Sequence, residues 1–119
     1  MDVININRVS AITTKDGSEI RELLAHRNSC IRHQSLAEAR LPAYGATTPH
    51  NHPQAEEIYY ILEGRGSMQV GSEIRSIGPG DAIAIPPGAR HQIHNTDSAV
   101  LRFLCCCAPA YEDEDTVLE

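Results

Sequence analysis

Turn-forming residues punctuate this 119-residue chain at short, regular intervals. They fall at Asp16-Gly17, Pro42 to Gly45, Gly64-Arg65-Gly66, Gly71-Ser72, Gly78-Pro79-Gly80 and Pro86-Pro87-Gly88. Between them lie short segments rich in β-branched and aromatic residues: 57–62, 67–70, 73–77, 82–85 and 99–107. Many short strands at such spacing specify an all-β sandwich or barrel.

Helix is the weaker reading throughout. Residues 18–27 place Ile20, Leu23 and Leu24 at the i, i+3, i+4 spacing of one helical face, so this segment reads equally as a short helix or an edge strand. Residues 35–40 carry helical propensity but lie between strand-like stretches, and we assign them as strand. In residues 57–62, period-two alternation puts Glu57, Tyr59 and Ile61 on one face and Ile58, Tyr60 and Leu62 on the other. Both faces are largely apolar, which implies a strand covered on both sides. A carboxylate there needs a counter-charge, because burial without one costs several kcal/mol or raises its pKa. Glu57 therefore calls for a metal ion or a base such as Arg40.

Chain length sets the scale at one domain spanning 1–119, with a core barrel at about 30–108 and an acidic C-terminal tail at 109–119. A net charge of −6, concentrated in Glu112-Asp113-Glu114-Asp115 and Glu119, argues against nucleic-acid binding. The tail reads as a solvated chain end. No apolar run approaches the ~20 residues of a membrane helix, and no secretory signal is visible. Cys30 and the triplet Cys105-Cys106-Cys107 lack any Cys-x-x-Cys pair, so reduced thiols in a cytoplasmic protein are expected. A small barrel with exposed sheet edges leads us to expect a homodimer, an exchanged N-terminal segment being one mode.

Histidine spacing carries the chemistry. His50-Asn51-His52 on a strand would point two imidazoles to one side, about 6.5–7 Å apart along the backbone. Glu57 follows a short loop, and His91 follows the Pro86-Pro87-Gly88 turn. Three neutral imidazoles and one carboxylate suit a divalent transition metal (Mn, Fe, Co, Ni, Cu or Zn) and leave positions open to water or substrate. Taken singly, His-x-His could be a surface accident and His91 an ordinary residue of the barrel mouth. His94 has the wrong parity relative to His91, while His26 and His33 show no informative spacing.

The whole arrangement resembles the cupin family, whose first motif is G-(x)5-H-x-H-(x)3,4-E-(x)6-G. Here His50, His52, Glu57 and Gly64 keep that spacing, whereas Gly45 stands one residue too close to His50. The second motif, G-(x)5-P-x-G-(x)2-H-(x)3-N, is met by Gly80, Pro86, Gly88, His91 and Asn95. The resemblance implies a double-stranded β-helix, or jelly-roll barrel, with one divalent metal on His50, His52, Glu57 and His91 near one mouth. It selects Glu57 over Glu56, which faces the other way, and gives Asn95 a role in satisfying backbone groups of the following loop.

Such barrels host many reactions, so fold does not fix function. The resemblance leads us to expect a metal-dependent enzyme on a small molecule, of dioxygenase or isomerase/lyase type. The alternative is a non-catalytic module binding a small ligand or sugar. Tyr59 shares the face of Glu57 and could position substrate or act as an acid, or simply pack. Arg40 and Arg102 could hold an anion or form exposed ion pairs. Met68, Phe103, Cys105 and Cys107 are expected in the core.

Overall fold

A computed structural model describes residues 1–119. Eleven strands follow one another with only two short 3-10 turns, at Ile6–Arg8 and Asp113–Asp115. They are β1 (Ile12–Thr13), β2 (Glu19–Leu24), β3 (Ser35–Leu41), β4 (His50–Asn51), β5 (Glu56–Glu63) and β6 (Gly66–Val70). The rest are β7 (Glu73–Ile77), β8 (Ala82–Ile85), β9 (His91–Asn95), β10 (Leu101–Ala108) and β11 (Val117–Leu118). Two antiparallel sheets result, ordered β1-β2-β3-β10-β5-β8 and β11-β4-β9-β6-β7, the expected jelly roll. Within residues 18–27, Glu19–Leu24 form strand β2, which sits between β1 and β3 rather than at the edge, and residues 25–27 turn away. Residues 35–40 lie in β3 as assigned.

Alternation builds the core. Along β10, Leu101, Phe103, Cys105 and Cys107 point inward and are buried, and β5 contributes Tyr59 and Ile61 from the facing register. Ala39, Leu41, Met68, Ile85 and Ile93 complete the packing between the sheets. Burial of each large apolar side chain stabilises the fold by about 1.5–3 kcal/mol. No helix is long and apolar enough to cross a membrane.

Three expectations change. The outer face of β5 is not covered: Ile58 is 51% and Tyr60 42% exposed, because nothing in this chain packs over them. The sheets also reach beyond 30–108, with β1 and β2 on one side and β11 on the other. Finally, the acidic tail is built in rather than solvated. Its β11 pairs with β4, so that Leu118 stands opposite His50 and Val117 opposite Asn51. Asp115 accepts hydrogen bonds from the backbone N–H groups of Gln54 and Ala55, both at 3.0 Å. Lys15 Nζ donates to the carbonyls of Asp113 and Thr116. One carboxylate of the run, Asp115, thus satisfies loop donors, while Asp113, Glu114 and Glu119 remain exposed.

Arg40 and Arg102 are likewise placed by the outer sheet face. Both donate to Glu38, whose side chain they and Arg21 cover completely. Burial pushes the Glu38 carboxyl up, but hydrogen bonds from Arg40 and Arg102 outweigh it and hold it below its ordinary value. Neither arginine faces Glu57 or the interior.

Candidate metal centre

Strand pairing brings the predicted histidines together. His50 on β4 and His91 on β9 are direct cross-strand partners, with ring centroids 4.2 Å apart. His52 follows β4, and its ring lies 5.1 Å from His50 and 5.3 Å from His91. All three are buried, and one ring nitrogen from each lies within 4.8 Å of the others.

Local backbone fixes each ring. His50 Nδ1 donates to the Thr48 carbonyl at 2.7 Å, and His91 Nδ1 donates to the Ala89 carbonyl at 2.9 Å. In each case the acceptor lies two residues earlier, where the extended chain returns it to the same side. His52 Nδ1 faces the Thr116 hydroxyl at 3.4 Å, and that hydroxyl donates onward to the Glu112 carbonyl. With Nδ1 committed outward, the Nε2 atoms turn to a common centre, as imidazole ligands of metals do. The Pro86-Pro87-Gly88 turn is tied to the same place by Gly88 N–H donating to the His52 carbonyl at 2.8 Å. Gly88 has φ +77°, a conformation that a side chain disfavours.

Glu57 opens the inward face of β5. Its Oε1 lies 3.3 Å from His52 Nε2 and 3.6 Å from His91 Nε2. Glu57 Oε1 and His91 Nε2 are both buried with no hydrogen-bond partner. A buried imidazole nitrogen facing a carboxylate oxygen calls for a proton or a metal ion between them. The donor set therefore fits a metal. Burial pushes the Glu57 carboxyl up, but the adjacent His52 and His91 imidazoles outweigh it and hold it at about 2. His52 is pulled down by burial and raised further by Glu57, with a net upward shift, whereas burial and the neighbouring His91 lower His50. A proton on His52 and a metal ion thus compete for one position.

The centre forms part of the wall of a cavity of about 40 Å³, roughly a few water molecules by the ~10–15 Å³ that one needs. Ile12, Ile20, Ala37 and Phe103 supply apolar lining, and no lysine or arginine contributes. Tyr59 lines it too, its ring against Phe103 at 4.7 Å and near His91 at 6.1 Å. Burial pushes the Tyr59 phenol well up, so it stays protonated through the neutral range. Glu56 is exposed on the opposite face, His94 is exposed, and His26 pairs with Glu112 at 2.7 Å, so none of these joins the centre. Asn95 is fully buried and donates to the carbonyls of Leu41, Pro42 and Ala99, knitting the loops at that end.

Three residues at the site were not anticipated. Cys107 donates to Glu57 Oε2 at 3.1 Å, Tyr111 lines the cavity from the tail, and Asp16 reaches His50 from the β1–β2 turn. Parity showed Cys107 pointing inward, but only the strand register shows what it meets.

Comparison with known proteins agrees with this architecture. The family model for the cupin domain matches residues 37–107. An uncharacterised protein of Methanocaldococcus jannaschii is 46% identical over 110 residues, covering 92% of this chain and 88% of its own. An oxalate-binding protein of Thermotoga maritima is 31% identical over 86 residues, 72% of this chain and 71% of that one. Among solved structures, the polyketide cyclase RemF of Streptomyces resistomycificus superposes with a TM-score of 0.80 at 25% identity, covering 99% and 84% of the two chains. With the jelly roll, the histidine cluster and the family match in agreement, this chain belongs to the cupin family.

Proposed function

We propose that the chain is a metal-dependent enzyme of isomerase or lyase type, acting on a small oxygen-bearing molecule. One observation carries this reading: three inward-turned histidine nitrogens and Glu57 Oε1 converge, without protein donors for His91 Nε2 and Glu57 Oε1, at the wall of a small cavity. His50, His52, His91 and Glu57 would hold one divalent transition metal, which supplies Lewis acidity toward a ligand oxygen. The protein's part is orientation and the exclusion of water. Backbone carbonyls of Thr48 and Ala89 fix two of the rings, and apolar lining from Ile20 and Phe103 limits water. Tyr59 lines the same cavity, and because burial keeps its hydroxyl protonated we assign it as a hydrogen-bond donor that orients a ligand oxygen.

A non-catalytic reading draws on the oxalate-binding relative. The cavity lining offers no lysine or arginine to a dianion beyond the metal itself, which favours a neutral or singly charged ligand. A turnover screen of small hydroxy- and keto-compounds separates the readings. Activity should persist without oxygen and after replacement by a redox-inert metal; oxygen uptake coupled to turnover would instead indicate a dioxygenase. We further propose a homodimer with the uncovered outer face of β5 at the contact, Ile58 and Tyr60 included. A monomer by sedimentation at tens of micromolar would contradict it.

A further inference from the structure

Asp16 lies in the turn between β1 and β2, ahead of the residues that match the family. Its Oδ1 accepts three hydrogen bonds: from Thr14 Oγ1 at 2.8 Å, Ser18 N at 2.9 Å and Ser18 Oγ at 2.6 Å. Such local bonding is common for an aspartate in a tight turn and fixes how the carboxylate is rotated. Oδ2 is left without a protein donor and lies 3.4 Å from His50 Nε2.

Both partners are registered to one residue. Thr48 N–H donates to the Asp16 carbonyl at 2.7 Å, and the Thr48 carbonyl accepts from His50 Nδ1 at 2.7 Å. Because Nδ1 carries that hydrogen, the neutral ring presents an Nε2 lone pair to a carboxylate oxygen. Such a pair calls for a proton or a metal ion between its two atoms, and a metal ion can serve every such pair at the centre at once. The same relation holds between Glu57 Oε1 and the Nε2 atoms of His52 and His91, at 3.3 and 3.6 Å. Metal–nitrogen and metal–oxygen bonds of ~2.0–2.2 Å place neighbouring ligand atoms roughly 3–3.6 Å apart. The three separations fall in that range, while the atoms that all lie within 4.8 Å of one another are those of the three histidines, so both carboxylates close in on the ion as it binds.

Building on the metal reading above, we propose that Asp16 Oδ2 is a fifth protein ligand, contributed by the N-terminal hairpin, so that the centre is three histidines and two carboxylates. Two consequences follow. Glu57 and Asp16 together balance the charge of a divalent ion. A six-coordinate ion would also keep one open position instead of two, so a substrate binds through one oxygen and a bidentate chelator must displace Asp16.

The test uses the full chain loaded with manganese(II). Binding affinity and the number of metal-bound waters, from water-proton relaxation, are measured for wild type, Asp16→Asn and Asp16→Ala. Asparagine retains an oxygen for the Thr14 and Ser18 donors, so Asp16→Asn guards against misfolding. The proposal predicts at least about a tenfold loss of affinity in both variants and one additional bound water in Asp16→Ala. Wild-type binding with an unchanged water number in Asp16→Ala overturns it, since a residue acting only through His50 opens no position. Wild-type protein that binds no manganese or other divalent metal overturns the metal reading and this proposal together. A crystal structure of metal-loaded wild type needs no substitution: Oδ2 should lie within about 2.3 Å of the ion, and Oδ2 outside bonding distance overturns the proposal.

Discussion

Cys107 and Glu57 stand directly opposite each other on β10 and β5, and the buried thiol donates to carboxylate Oε2 at 3.1 Å. This contact occupies one oxygen of Glu57 and leaves Oε1 for the histidine side. Burial pushes the Cys107 thiol up, so it remains a donor across the physiological range. Cys107→Val should free Oε2 and lower metal affinity about tenfold, in the manner of lost outer contacts to a ligand. Titration calorimetry with zinc checks this, and Cys107→Ser, which retains a donor, should fall between the two.

Proton competition should be visible at His52. Its pKa is raised because the neighbouring Glu57 carboxylate overcomes burial. A raised histidine holds its proton to higher pH, so competition against the metal begins above the ordinary value near ~6.5. Apparent affinity should therefore weaken steadily as pH falls from about 7.5 to 5.5, with proton release on binding. Calorimetry in buffers of different ionisation enthalpy measures the protons; affinity independent of pH over that range would contradict the assignment.

Glu38 makes a separate stability prediction. Its folded pKa is lowered by Arg40 and Arg102 against the opposing effect of burial. A lowered carboxyl stabilises the fold above its unfolded value, and the benefit disappears as pH falls through the folded value. Glu38→Gln should cost about 1–3 kcal/mol near neutral pH, at the lower end because both arginines are partly exposed. In denaturant melts the gap between variant and wild type should close below about pH 4.

Asp115 links the tail to the metal loop. Removing its side chain leaves the N–H groups of Gln54 and Ala55 without acceptors, just ahead of Glu57. Asp115→Ala should cost about 1–2 kcal/mol and should also weaken metal binding. Asp113→Ala, whose side chain lies only 3.7 Å from exposed Lys15 Nζ, should change stability by less than about 0.5 kcal/mol.

The strands and the histidine cluster were readable because both rest on local spacing. Period two places His50 and His52 on one side, and the glycine and proline turns set where β8 ends and His91 begins. Gly64 illustrates the limit of such reading. Its φ is +90°, and a Cβ would lie 2.5 Å from the Val100 carbonyl, so glycine is required by a strand that is distant in sequence. Asp16 was legible as a turn former but not as a neighbour of His50, since that depends on docking β2 against β3 and on the Thr48 contact. The tail misled for a related reason: Asp113, Glu114 and Glu119 are exposed as a charge run implies, but the loop donors that Asp115 caps and the pairing of β11 with β4 are not local. Exposure of Ile58 and Tyr60 shows the converse, an apolar face that this chain alone does not cover.

His50, His52, His91 and Glu57 are proposed to hold one divalent transition metal between them. Elemental analysis of the purified, metal-loaded protein tests it most directly, comparing wild type with His52→Ala. Wild type should hold about one equivalent, and the variant should lose most of it. Full stoichiometric metal in His52→Ala, or none in wild type after loading, would contradict it.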